Sequence, residues 1–192
     1  MKDKKLAEPT AEKLTAQFGA VDIVSSWLPF DYTEYYRSEM GEPLFRRMFS
    51  FRKLIDQDAL AEIKTATNAI EEQYSANQYS TNNKRRVNID PGYMLHSRFV
   101  LATGKNYAHR IYIGKRIYAD LTLIYTKGGF TKLPWTYPDY IAEDMLAYLM
   151  MVRKKYISDH KNQFQNVSFC PNSTSDSNFN PRNTQSISVV KI

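Results

Sequence analysis

Residues 109–133 constrain the fold more than any other part of the chain. Branched and aromatic residues recur through His109-Arg110-Ile111-Tyr112 and Leu121-Thr122-Leu123-Ile124-Tyr125, broken only at Gly114-Lys115 and Lys127-Gly128-Gly129. Short strand runs separated by glycine turns predict a three-stranded antiparallel meander. A meander alone cannot bury its apolar face, so it requires a covering layer of helices. Pro9 opens a short helix that stops at Gly19, because Pro fits a helix's first turn and Gly its exit. Leu60, Ile63, Thr67, Ile70 and Tyr74 recur at helical spacing behind Asp56 or Asp58 as cap. A last helix is expected over residues 139–156, with Ile141, Met145, Leu149, Val152 and Tyr156 inward and Arg153, Lys154 and Lys155 as a solvated end. The expected fold class is therefore α+β, a mainly antiparallel sheet with helices packed on one face.

Three further segments complete the expectation. Residues 21–27 read as a strand, residues 86–90 as a short strand closed by a type II turn at Pro91-Gly92, and residues 94–102 as a helix. At 192 residues the chain suits one domain, assigned here to residues 1–158. Residues 159–192 are rich in Asn, Ser and Thr, show no periodic apolar stripe, and are expected to form a disordered tail whose removal costs little.

Composition narrows the function classes. The net charge of +6 favours anionic partners without naming one. Fourteen Tyr against two Trp suggest a polar-lined cleft, since a buried phenol ring still needs a partner for its hydroxyl. The charged start Met1-Lys2-Asp3-Lys4-Lys5, the lack of any stretch near membrane-span length and the single Cys170 lead us to expect a cytoplasmic protein without disulfides or a cysteine zinc site.

The candidate site follows from the meander. A type II′ turn at Gly114-Lys115 would set Tyr112 opposite Ile117 and His109 opposite Asp120. One face would then carry Tyr112, Ile117, Leu121 and Leu123 into the core. The other would present His109, Tyr118, Asp120 and Thr122, with Asp120 orienting the His109 ring for acid/base work. Asp90, at its rigid turn, is the third catalytic candidate. Arg85, Arg86 and Arg110 are the anion contacts, because guanidinium clamps phosphate bidentately. Asn88, Tyr93 and Tyr118 complete the ligand-binding set. Asp90 and Asp120 lack any signature spacing for a cation, so no metal is assigned. Arg46, Arg47, Arg52 and Lys53 form a second basic group near Phe45, Phe49 and Phe51 that either contacts nucleic acid or decorates a helix whose aromatics are core.

Several motifs together carry a family resemblance. Pro29-Phe30-Asp31-Tyr32-Thr33-Glu34-Tyr35-Tyr36, Glu39-Met40-Gly41, Phe49-Ser50-Phe51, Leu54-Ile55-Asp56, Val87-Asn88-Ile89-Asp90-Pro91-Gly92-Tyr93, His109-Arg110-Ile111-Tyr112, Leu121-Thr122-Leu123-Ile124-Tyr125 and Leu133-Pro134-Trp135-Thr136-Tyr137-Pro138-Asp139-Tyr140 occur in order over roughly residues 12–157. In these the chain resembles the prokaryotic domain-of-unknown-function 4416 family, whose members often carry the label GTP-binding protein. The resemblance transfers no catalytic residues. It also implies an apolar strand before the first helix, where this chain has the charged residues 1–8. The GTP label finds no P-loop: Gly104-Lys105 is followed by Asn106 and preceded at the required place by Phe99, and Gly114-Lys115 is followed by Arg116 and preceded by His109. Asn83-Lys84-Arg85 likewise ends in Arg86 where guanine reading requires Asp.

The leading expectation is binding of a phosphorylated small molecule or nucleotide at a non-P-loop site, with hydrolysis or phosphoryl transfer as an extension. An RNA-binding module stacking bases on Tyr93, Tyr118 and Trp135 is one alternative. A structural or interaction protein is another.

Overall fold

The structure, a computed structural model, describes residues 1–30, 41–75, 86–167 and 185–192, with side chains throughout except at 162–167. Arg85, Cys170 and residues 76–83 of the polar loop lie outside the described residues. Helix α1 (Ala7–Phe18) ends where Gly19 turns the chain at φ 93, and leads into strand β1 (Val21–Val24). Strands β2 (Leu28–Pro29) and β3 (Phe45–Arg46) form a small ribbon of their own. Strand β4 (Met48–Asp56) and helix α2 (Leu60–Ser75) follow, joined by a single 3-10 turn. Then come β5 (Asp90–Met94), β6 (Arg98–Thr103), β7 (Arg110–Gly114), β8 (Ile117–Thr126), β9 (Gly129–Lys132), α3 (Glu143–Val167) and β10 (Gln185–Lys191).

The main sheet has eight strands in the order β1-β4-β10-β5-β6-β8-β7, with β9 also paired to β8, and its pairings are antiparallel. The expected α+β class and the three-stranded meander are both present. Long strand β8 carries β7 along its first half and β9 along its second. Successive strand residues point to opposite faces, and the core divides accordingly. Ile187, Val189, Met48 and Phe99 pack with Met145, Tyr148 and Leu149 of α3. Val190, Phe49 and Phe51 pack with Leu14 of α1 and Ile70 and Tyr74 of α2. Helix α2 joins both clusters, its Leu60 and Ala61 belonging to the first.

The structure corrects the sequence at several places. Helix α3 continues through residue 159 to Val167, and residues 185–191 of the supposed tail form an interior strand between β4 and β5. An interior strand is therefore supplied by residues 185–191, not by a segment before the first helix. Residues 94–102 are not a helix: β5 ends at Met94 and β6 begins at Arg98, the turn closed by Leu95 N–H donating to Arg98 O at 2.9 Å. Its apolar run is that of a strand buried on both faces, a pattern that periodicity does not separate from a buried helix. The aromatics Phe49 and Phe51 are core as expected, but on strand β4 and not on a helix. Ile141 is partly exposed because α3 starts only at Glu143, after a 3-10 turn. Arg153 is buried, donating to His96 O at 2.8 Å and lying 3.3 Å from the centroid of Tyr125, so it is no solvated helix end.

Pro91-Gly92 is not a turn. Both residues lie within β5, Pro91 opposite Val190 and Gly92 opposite both Val189 and Leu101. The glycine serves close approach: a Cβ there would come within 2.4 Å of the Val100 carbonyl oxygen. Gly92→Ala is accordingly expected to destabilise the protein near the upper end of the roughly 1–3 kcal/mol typical of overpacking. Urea denaturation checks this, and an unchanged midpoint would contradict the packing.

Candidate functional site

The hairpin turn falls one residue later than expected. Lys115 and Arg116 take φ 52 and φ 60, the signature of a type I′ turn, whose twist matches that of the flanking strands. A bulge between Tyr112 and Gly114 absorbs the extra residue and sets Arg110 opposite Asp120 and Tyr112 opposite Tyr118. Shifting a register by one residue turns side chains to the other face. Tyr112 therefore leaves the expected core position and is 59% exposed, with its ring 5.4 Å from that of Tyr118. Ile117 and Leu123 are buried as expected.

The register now builds a site. Lys191 of β10 is directly opposite Asp90 of β5, and Arg110 of β7 directly opposite Asp120 of β8. Gly92 and Leu101 are opposed, as are Leu101 and Asp120. Directly opposed residues share a face and residues i and i+2 also do, so both ion pairs lie on one face of the sheet, about two strand spacings or ~10 Å apart. Between and above them opens a cavity of about 420 Å³. Lys64, Asn68 and Glu71, at helical spacing on α2, form one wall, and Thr103 at the end of β6 with Lys105 and Tyr107 beyond it another. Trp135, Tyr137, Asp139 and Tyr140 come from the segment between β9 and α3.

Asp90 is the most tightly held group. It accepts from Lys191 Nζ at 2.7 Å, Asn88 Nδ2 at 2.9 Å and Lys64 Nζ at 3.4 Å. Burial alone would raise its pKa, but the two ammonium groups and the Asn88 amide outweigh this and hold it well below the ordinary carboxylate range. Lys191 is shifted the opposite way. Burial would favour its neutral form, yet Asp90 and other nearby acidic groups keep it above the usual lysine value, so it stays a cation. Lys64 also donates to Ile89 O at 2.6 Å, and Glu71 accepts from Ile89 N–H at 2.6 Å. Across the cleft, Arg110 Nε donates to Asp120 Oδ2 at 2.8 Å and its Nη1 to Lys105 O at 3.0 Å, while its guanidinium lies 4.7 Å from the Tyr107 ring centre.

His109 approaches Asp120 Oδ2 at 3.4 Å, but its ring is stacked 4.8 Å from Trp135 and 6.1 Å from Tyr107. Trp135 is itself fixed by donation from its indole N–H to Leu121 O at 2.8 Å. Asp90, Asn88, Arg110 and Asp120 thus line one cavity, with His109 packed beside it. The remaining candidates are elsewhere. Tyr93 is buried in the core, Tyr118 pairs with Tyr112, and Arg86 is exposed, 3.7 Å from Asp3. Arg46 of the second basic group is buried against Asp139, donating from Nη2 to Asp139 O at 2.7 Å and pairing with its carboxylate.

The reading of residues missed Lys64, Glu71, Lys191 and Tyr140. Lys64 and Glu71 lie seven positions apart on one side of α2, a spacing shared with ordinary solvated helix faces, so it did not single them out. Lys191 was concealed by the composition of the tail. Among the described residues no group of three or more His, Cys, Asp or Glu is placed to hold a metal ion, and no helix is long and apolar enough to cross a membrane.

No curated protein and no solved structure matches the chain. One family does, over residues 1–156, which takes in every lining residue of the cleft but Lys191. The chain belongs to that family, described as a domain of unknown function (DUF4416).

Proposed function

We propose that the cleft binds a phosphorylated small molecule carrying a planar ring, a nucleotide being the obvious class, in a reducing cytoplasmic setting. One observation carries the reading: four cations, Lys64, Lys105, Arg110 and Lys191, converge with aromatic side chains that include Tyr107, Trp135 and Tyr137 around a single cavity of about 420 Å³. That volume is within the range of small-molecule sites, and such sites combine apolar walls with a few convergent polar groups. The cations suit an anionic group and the rings a base or similar plane. GTP, as in the family's label, is one member of this class, bound without a P-loop. Hydrolysis or phosphoryl transfer would draw on His109, Asp120 and Asp90. Binding is the better supported part, because the His109 ring is flat against Trp135.

RNA binding is less well supported, since Tyr93 is buried and cannot stack a base. The interaction reading rests on edge strand β7, where Ile111 is 71% and Tyr112 59% exposed.

A thermal-shift panel of nucleotides tests the proposal. At least one should raise the melting temperature saturably. Arg110→Ala and Lys191→Gln should each weaken that ligand by about 10- to 100-fold, the loss expected for a charge-assisted contact. Circular dichroism should be unchanged. Saturable binding with unaltered affinity in both variants would remove the cleft from the account, and salt-sensitive RNA binding without nucleotide stabilisation would favour the alternative.

A further inference from the structure

One polar group of the cleft has no assigned task. Tyr140 lines the cavity, is only 2% exposed, and its hydroxyl finds no hydrogen-bond partner among the described residues. A buried hydroxyl left unpaired costs roughly 1–3 kcal/mol, a cost that a ligand oxygen would remove. Burial pushes the phenol above its ordinary range, so the group is a neutral donor in search of an acceptor. Lys191 stands beside it, its ammonium 5.8 Å from the Tyr140 ring centre and 5.5 Å from that of Phe30. Tyr140 and Lys191 thus lie side by side in the lining of the cleft.

The charge of the lining limits what that pair can accept. Among the described lining residues Lys64, Lys105, Arg110 and Lys191 are matched by Glu71, Asp90, Asp120 and Asp139, four cations against four acids. Asp90 is shared between Lys191 and Lys64, and Glu71 pairs with Lys64 at 3.5 Å, so each lysine already faces a carboxylate. A polyanion entering this cavity would meet carboxylates on several sides, and like charges placed together in a partly buried site are costly. A single phosphate brings about −1.5 to −2 charge, and each added phosphoryl group increases the repulsion.

We propose that Tyr140 and Lys191 form the anion subsite of the cleft and that it accepts one phosphate group, making nucleoside monophosphates, not triphosphates, its ligand class. The inference rests on the nucleotide reading above and deepens it. Tyr140 donates to a phosphate oxygen, Lys191 supplies the charge, and the ring lies toward Tyr107 and Trp135.

Isothermal titration calorimetry of the full chain with adenosine, guanosine, their 5′-monophosphates and triphosphates, and inorganic phosphate tests this. At least one monophosphate should bind about 10-fold or more tighter than its nucleoside and its triphosphate. Tyr140→Phe should weaken the monophosphate about 10-fold and leave the nucleoside unchanged. Its melting temperature should not fall, because only an unpartnered hydroxyl is removed; Lys191→Gln gives a second reading of the same subsite. A triphosphate bound as tightly as the monophosphate, or unaltered monophosphate affinity in both variants, overturns the subsite while leaving the cleft a nucleotide site. Binding of none of these probes by the wild type overturns the nucleotide reading itself.

Discussion

Removal of residues 185–192 is expected to leave a chain with no cooperative thermal transition. Strand β10 fills the interior of the sheet, pairing with β4 on one side and β5 on the other. Ile187, Val189, Val190 and Ile192 are all fully or almost fully buried. At about 1.5–3 kcal/mol for each such side chain, their loss amounts to roughly 6–12 kcal/mol. Domains of this kind are stable by only about 5–15 kcal/mol. The deletion also leaves the ladder groups of β4 and β5 without partners, and exposed edges of that length invite aggregation. A scanning melt of the truncated chain decides the matter. A sharp transition within a few degrees of the full-length protein would mean that β10 contributes little, as the composition of the segment alone suggests.

Arg46→Met is expected to cost about 3–5 kcal/mol, the usual penalty for leaving one member of a buried ion pair alone. The Asp139 carboxylate is 4% exposed and relies on Arg46 for both its charge and its backbone carbonyl contact. Tyr140 follows it directly and Phe30 flanks the guanidinium 5.5 Å from its ring centre, so this pair supports the floor of the cleft. The double variant Arg46→Met with Asp139→Leu should recover most of the loss, because no charge is then buried unpaired. Urea denaturation of the two single variants and the double variant measures the coupling. Equal losses in single and double variants would show that packing, not charge, dominates.

How much of this was legible depended on the kind of signal. The meander was readable because glycines stand in or beside its turns and its strands alternate, and α2 because Ile63, Thr67, Ile70 and Tyr74 keep helical spacing over about three turns. The hairpin register was not. It turned on whether Gly114-Lys115 or Lys115-Arg116 occupied the turn, and a positive φ at two successive basic residues has no local sequence cue. Strand β10 was hidden for another reason. Its Ser186 and Ser188 alternate with Ile187 and Val189 as in a half-exposed strand, yet both faces are buried, so the pattern did not announce an interior strand. The branched run Ile187-Ser188-Val189-Val190 was the available clue, set in an Asn- and Ser-rich context. Asp90, Arg110 and Asp120 could be gathered from their short separation along the chain. Their partners Lys64 and Lys191 could not, because contacts that far apart in sequence are set by topology.

The nucleotide-binding reading is tested most directly by where a ligand is felt. Titration of the isotopically labelled protein with a nucleoside monophosphate, followed by two-dimensional NMR, reads this residue by residue. Saturable shifts are expected in the Trp135 indole N–H and in the amides around Asp90, Arg110, Asp120 and Lys191, with one common binding curve. Shifts confined to exposed basic residues such as Arg86, Lys115 and Arg116, rising without saturation and vanishing with salt, would contradict the nucleotide-binding reading.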